Sequence, residues 1–373
     1  MKRLWLSLSL ALVGLLAAGW FAIDRALDRW ENGEWPAGLG RMSDVPKHFV
    51  ERRMNDGTHR IIVSMAALHS DLDSAAVRES SSKYLKEQLG RNDLAIDEPP
   101  AVLSELLKRR SVELDALRGR ILNEGEFVWQ SSIRQYPLSP LEVSSTLTIF
   151  AVRALVSARR KDAAGWDDLH AMWIVSKGLW QSPSTPFLAL KATCLMNGVA
   201  MKMPQPEPDW LAELNAIDYR RAFAYSTQVG MWEERRSLAA SDRSHEWRRA
   251  LRAPLVAISF ANSAETVRLR TAELYASKAC DLAAVPSHIR VAKWNVLGEV
   301  ESGWISPFWV SLARFQAERE ARERFATLRS GRTPAASSRC SDGNWIIDDH
   351  SVRFSRTINV TSGTNYPLTL TLR

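Results

Sequence analysis

The first twenty-three residues constrain this chain more than any other stretch. From Leu4 to Ile23 there is no charged residue and only two hydroxyls, Ser7 and Ser9. A helix rises about 1.5 Å per residue, so such a run matches the roughly 30 Å hydrocarbon core of a bilayer. A removed export signal has a shorter apolar region, about 7–15 residues, closed by a small-x-small cleavage site. Ala17-Ala18-Gly19 offers such a site, and a cleaved signal is the alternative reading. Beyond it, however, Trp20, Phe21, Ala22 and Ile23 prolong the run, and Trp20 suits a membrane interface. Lys2 and Arg3 precede the run, whereas Asp24, Arg25, Asp28, Arg29 and Glu31 mix signs after it. The positive-inside rule keeps the N-terminus cytoplasmic and sends the remainder across. The sequence therefore predicts an uncleaved signal-anchor over 1–23, single-pass in a bacterial inner membrane, with a periplasmic C-terminal domain.

An export route limits what the body does. The formal charge of +7 is a mild excess that suits anionic headgroups or acidic polymers, and the compartment argues against nucleic acid. Three cysteines are too few and too scattered for a disulfide framework or a zinc site. An oxidising compartment permits one bond, expected between Cys280 and Cys340, while Cys194 in its apolar run reads as a small buried hydrophobe.

The fold expected is mainly α: a transmembrane helix, a juxtamembrane linker over 24–43, a multi-helix bundle ectodomain over 44–330, and a small C-terminal antiparallel β unit over 331–373. Val102 to Leu122 reads as one helix between Pro99-Pro100 and Gly125. Val143, Leu147, Phe150 and Ala154 make one apolar stripe. Trp166–Trp180 forms the next helix, and Phe187–Met201, apolar on nearly every side, reads as the central helix of the bundle. A polar, proline-rich break at 204–209 suggests a sub-boundary, and further helices are expected at Pro254–Ser277 and Ser306–Leu328. In the last of these, Glu318 with Arg322 and Glu320 with Arg324 read as i, i+4 pairs on an exposed, solvated helical end. The basic stretch Arg235–Arg252 reads as a solvent-facing loop. After Gly331 the period changes to two: Val352/Phe354, Ile358/Val360 and Leu368/Leu370/Leu372 predict strands, with a turn at Ser362–Asn365.

Chemistry is sparse. Ser80-Ser81-Ser82-Lys83 is a Ser-x-x-Lys, in which a neutral lysine takes the serine's proton during acyl transfer. That role needs a desolvated lysine, and Lys83 lies among Arg78, Glu79, Lys86 and Glu87. Three acid–histidine clusters invite a metal: His69 with Asp71 and Asp73, Asp167-Asp168 with His170, and Asp348-Asp349 with His350. A structural or catalytic zinc needs three or four converging ligands; Asp167 and His170 have the i, i+3 spacing for two but no adjacent third, and Asp348–His350 falls beside a turn. Asp167 and Asp168 fit the positive end of a helix dipole. The sequence holds no G-x-S-x-G, no phosphate loop, no dinucleotide fingerprint and no Cys-x-x-Cys, so no cofactor and no catalytic residue is assigned. Among the fifteen tryptophans, Trp129, Trp166, Trp173 and Trp180 are expected at helix–helix interfaces, with Trp/Arg stretches at Trp232–Arg236 and Trp247–Arg252 as stacking candidates. The function expected is a non-enzymatic binding or scaffolding ectodomain, tethered to the inner membrane through Leu4–Ile23 and meeting an envelope protein partner. The alternatives are an envelope hydrolase using Ser80/Lys83 or a His/Asp metal site, and a glycan- or peptidoglycan-binding module.

Overall fold

The computed structural model describes residues 2–49, 52–129, 140–241, 247–286, 289–290, 292–293, 295, 305–358 and 366–372. The chain forms two compact units, each built from separated stretches. The first comprises Met1–Phe49, Ala224–Ser277 and Val285–Pro307, and the second comprises Val50–Phe223, Lys278–Ala284 and Phe308–Arg373.

In the first unit, α1 (Lys2–Asn32) is one unbroken helix that passes the expected end at Ile23 by more than two turns. Its Ser9–Asn32 portion is long and apolar enough to cross a membrane. The apolar portion is bare, Trp20 being 67% exposed, whereas Trp30 near the other end is buried and meets Phe260 edge-to-face at 5.2 Å. The stretch 24–43, expected as a linker, continues as helix and then folds into a hairpin of β1 (Glu34–Trp35) with β2 (Gly40–Arg41). Gly38 and Gly40 turn it with φ of 67° and 72°, a region open to glycine because it lacks a Cβ. This unit also contains α2 (Val45–His48), most of α11 (Tyr219–Ser241) and α12 (Trp247–Ala276). Arg268 of α12 donates to the Glu34 carbonyl at 2.7 Å, and Gln228 of α11 donates to the Leu39 carbonyl at 3.4 Å. The expected loop at Arg235–Arg252 is thereby corrected: residues 235–241 and 247–252 are helical, and 242–246 lie outside the described residues. Pro254 likewise sits inside α12 and does not begin it; a single missing N–H removes one rung of a long helix.

The second unit holds α3 (Asp56–Leu72), α4 (Ala75–Leu89), α5 (Ala101–Arg109), α6 (Ser111–Glu124), α7 (Pro140–Arg159), α8 (Gly165–Trp180), α9 (Pro186–Ala200), α10 (Leu211–Ala216) and most of α13 (Ile305–Arg329). The helix expected over 102–122 is two helices. It breaks at Arg110 (φ −106°, ψ 17°), whose guanidinium is held by Asp71 at 2.6 Å and Glu113 at 2.8 Å. A tertiary anchor outweighs a run of good helix formers. The stripe Val143, Leu147, Phe150 and Ala154 is buried as expected, and so are Trp129, Trp166, Trp173 and Trp180. The most enclosed helix is α8, not the Phe187–Met201 helix: in α8 only Asp167, His170 and Lys177 escape burial, while α9 leaves Phe187 and Lys191 exposed. Packing of α8 against α6, α7 and α9 accounts for this. Gly178 allows the closest approach, since a Cβ there would overlap the Phe127 carbonyl.

The second half of α13 overturns the reading of a solvated end. Glu318, Arg319, Glu320 and Arg322 are all buried, none more than 4% exposed. Glu318 pairs with Arg314 at 3.0 Å instead of with Arg322, which reaches Glu207 at 3.3 Å, while the Glu320–Arg324 pair forms at 3.6 Å. Glu320 also accepts from Trp345 Nε1 at 2.9 Å and from Ser338 Oγ at 2.7 Å. The helix is charged because its neighbours are loops and turns whose polar groups need partners once buried.

The C-terminal β unit is a three-stranded antiparallel sheet, β3 (Trp345–Ile347), β4 (Ser351–Phe354) and β5 (Thr369–Thr371), with β4 central. Ile358 is buried but belongs to no strand, and Val360 and the turn at Ser362–Asn365 lie outside the described residues. Cys280 and Cys340 are bonded, with Cα atoms 5.3 Å apart.

Candidate functional site

A cavity of about 300 Å³ opens in the second unit, and four elements build its wall. From α4 come Arg78, Ser81, Ser82, Leu85 and Lys86, which at i, i+3, i+4, i+7 and i+8 share one helix face. The end of α3 gives Leu72, with Asp73 just after it; α7 gives Ser144, Ser145 and Thr148; α9 gives Lys191 and Leu195. Tyr366, just before β5, closes the ring.

The helix phase turns Ser80 and Lys83 of the Ser-x-x-Lys motif away from this cavity. Lys83 is exposed, and neither it nor Ser80 lines the cavity; their neighbours Ser81 and Ser82 do. Ser81 is 3% exposed and its hydroxyl donates to the Val77 carbonyl at 2.7 Å, which engages its proton in the helix itself. Thr148 donates to the Ser144 carbonyl at 2.7 Å. Ser144 Oγ accepts from Lys191 Nζ at 3.4 Å and keeps its own O–H to donate.

Charge in the cavity is unbalanced. Asp73 is its one carboxylate, and it is already engaged by Arg78 at 3.4 Å and approached by His69 Nε2 at 3.9 Å. Among the described residues, neither Lys86 nor Lys191 has a carboxylate within ion-pair distance.

Tyr366 is the most constrained member. It is 3% exposed, its ring packs against Gly198, and its hydroxyl has no hydrogen-bond partner among the described residues. Its main-chain N–H donates to Glu318 at 3.3 Å, and its carbonyl accepts from Arg314. The buried Arg314–Glu318 pair thus fixes the segment that presents Tyr366. Burial pushes the Tyr366 phenol well above its ordinary value, so it stays a hydroxyl donor at neutral pH.

The acid–histidine clusters resolve into separate structural contacts. Asp71 holds Arg110, whereas Asp73 faces the cavity. His170 stacks on Trp210 with ring centroids 4.8 Å apart, and burial lowers its pKa. Asp168 pairs with Arg153 at 3.3 Å and Arg118 at 3.6 Å, a burden beyond the helix dipole. Asp348 closes the β3–β4 turn by accepting from His350 N at 2.9 Å and Ser351 Oγ at 2.7 Å. Among the described residues, no group of three His, Cys, Asp or Glu side chains converges to hold a metal.

Sequence reading passed over the α7 and α9 contributions, although both left a trace. Ser144, Ser145 and Thr148 flank the apolar stripe of α7, and Lys191 is the single charge in an otherwise apolar helix. No protein-family model matches the chain, and neither a curated protein nor a solved structure shows similarity to it.

Proposed function

We propose that the chain is a membrane-anchored binding protein of the bacterial envelope, inserted through α1 with its N-terminus cytoplasmic and its body periplasmic. Its ligand site is the cavity of the second unit, and it acts by reversible binding, without a covalent step. The observation that carries this reading is the cavity itself: hydroxyls from α4 and α7, an unpartnered buried phenol and an apolar floor of Leu72, Leu85 and Leu195 converge on one space. Small-molecule sites combine an apolar lining with a few placed polar groups, and they start at about 300 Å³. Ser80 and Lys83, the pair a hydrolase would use, both stay off the cavity lining, and Lys83 is exposed and keeps its water, which favours binding over acyl transfer.

Native mass spectrometry of the full chain, extracted in mild detergent from its own membranes, tests this. A small molecule is expected on the wild-type protein and is expected to be lost when Thr148→Trp fills the cavity, with circular dichroism confirming that the variant is folded. Wild-type protein carrying nothing, or labelling of a cavity serine by a fluorophosphonate, would contradict the reading.

A further inference from the structure

We infer that the ligand of this cavity carries an oxyanion, a phosphate monoester or a carboxylate, on a small apolar body. The inference rests on the binding-site reading above and names the ligand class.

Three cations, Arg78, Lys86 and Lys191, line the space against one carboxylate, Asp73. Arg78 and Asp73 satisfy each other at 3.4 Å, which leaves the charge of the two lysines over. Lysines placed together without a counter-charge repel, and an anion between them removes that cost. The remaining polar groups match an oxyanion as well. Ser82, Ser144 and Tyr366 bring O–H donors, and an oxyanion offers acceptors only. The ammonium of lysine is a compact point charge that tolerates either phosphate or carboxylate geometry, so the shared chemistry is the oxyanion.

The floor sets the rest of the ligand. Leu72, Leu85 and Leu195 bury apolar surface beneath the polar rim, and the volume of about 300 Å³ admits a single ring or short chain. A free inorganic ion would leave that floor wet. Tyr366, whose side chain is 3% exposed and lines the cavity, brings a hydroxyl with no hydrogen-bond partner among the described residues, which a ligand oxygen would supply.

Titration calorimetry on the full chain in neutral detergent at low ionic strength tests the class, with phenyl phosphate, benzoate and benzyl alcohol as probes. Heat of partition into micelles is subtracted with the Thr148→Trp variant. At least one of the two anions is expected to bind, and benzyl alcohol is not. The double variant Lys86→Met/Lys191→Met is expected to weaken anion binding by about tenfold or more, while Lys83→Met, exposed on another face of the same helix, leaves it unchanged. Both lysines are exposed, so their loss is not expected to unfold the chain. Binding by benzyl alcohol alone would overturn the oxyanion assignment and leave the cavity as a ligand site. Binding by none of the three would overturn both. Anion binding indifferent to the double variant would place the anion elsewhere and overturn the assignment.

Discussion

Among single residues, Glu318 joins the helical core to the site. Burial pushes its carboxyl up to about 7, above the ordinary 4.5, although Arg314 and the Tyr366 N–H oppose the shift. Between those values the folded chain holds a proton that the unfolded chain has released. The stability it contributes is therefore complete below about pH 4.5 and is lost as pH rises through 7. Asp168, raised to about 6 by burial, acts in the same direction. The melting temperature is expected to fall between pH 5 and pH 7.5, and Glu318→Gln is expected to flatten the slope by on the order of 1 kcal/mol per pH unit, read by calorimetry across that range. Glu318→Ala, which leaves Arg314 buried without its partner, is expected to cost about 3–5 kcal/mol by denaturant titration. Gly178→Ala drives a methyl into the Phe127 carbonyl and is expected to cost about 1–3 kcal/mol on the same measurement. None of these roles shows in the local sequence. The run Glu318–Arg324 satisfies the i, i+4 pairing rule as an exposed helix would, and what buries it is distant in sequence: Arg319 and Arg322 reach Leu214 and Glu207, while Glu318 and Glu320 accept from Tyr366 and Trp345.

Individual helices were far more legible than their surroundings. Apolar periodicity places α8 and α9 to within a residue or two and marks the buried stripe of α7 without its ends, since each carries its own stripe or is apolar all round. It places α1 as well, up to the point where polar residues take over, because a helix that leaves a bilayer for a packed unit keeps its hydrogen bonds while its composition changes. The α5–α6 break was invisible because Arg110 is a good helix former held out of line by Asp71, thirty-nine positions earlier. The cavity was half legible. The serine run on α4 drew attention, but for a catalytic spacing on one side of the helix, whereas the face that matters is fixed by packing against α7. For α1 the proposed topology predicts that a C-terminal alkaline phosphatase fusion is active in intact cells and that the mature protein retains Met1 and Lys2. An N-terminus near Trp20 would show that the segment is removed.

For the whole molecule, two units share one chain, and neither is continuous in sequence. Composition and breakers do not reveal such an arrangement: the proline-rich stretch 204–209 lies inside the second unit, where Glu207 binds Arg322 of α13. The Cys280–Cys340 bond ties two distant parts of that unit, across a separation of sixty residues. Closing a loop of that size removes conformational freedom from the unfolded chain, so reduction, or Cys280→Ser, is expected to lower stability by roughly 2–4 kcal/mol in denaturant titrations run with and without dithiothreitol. The continuity of α1 has a further effect once it spans a bilayer as proposed. The same rod that crosses the lipid carries Trp30 into the packed interior of the first unit, with no hinge between the two. Rotation and height are then coupled as in a screw: adding one residue between Phe21 and Trp30 would swing that unit by about 100° and raise it by about 1.5 Å. The pitch of a single helix thus sets which side of the first unit faces along the membrane plane.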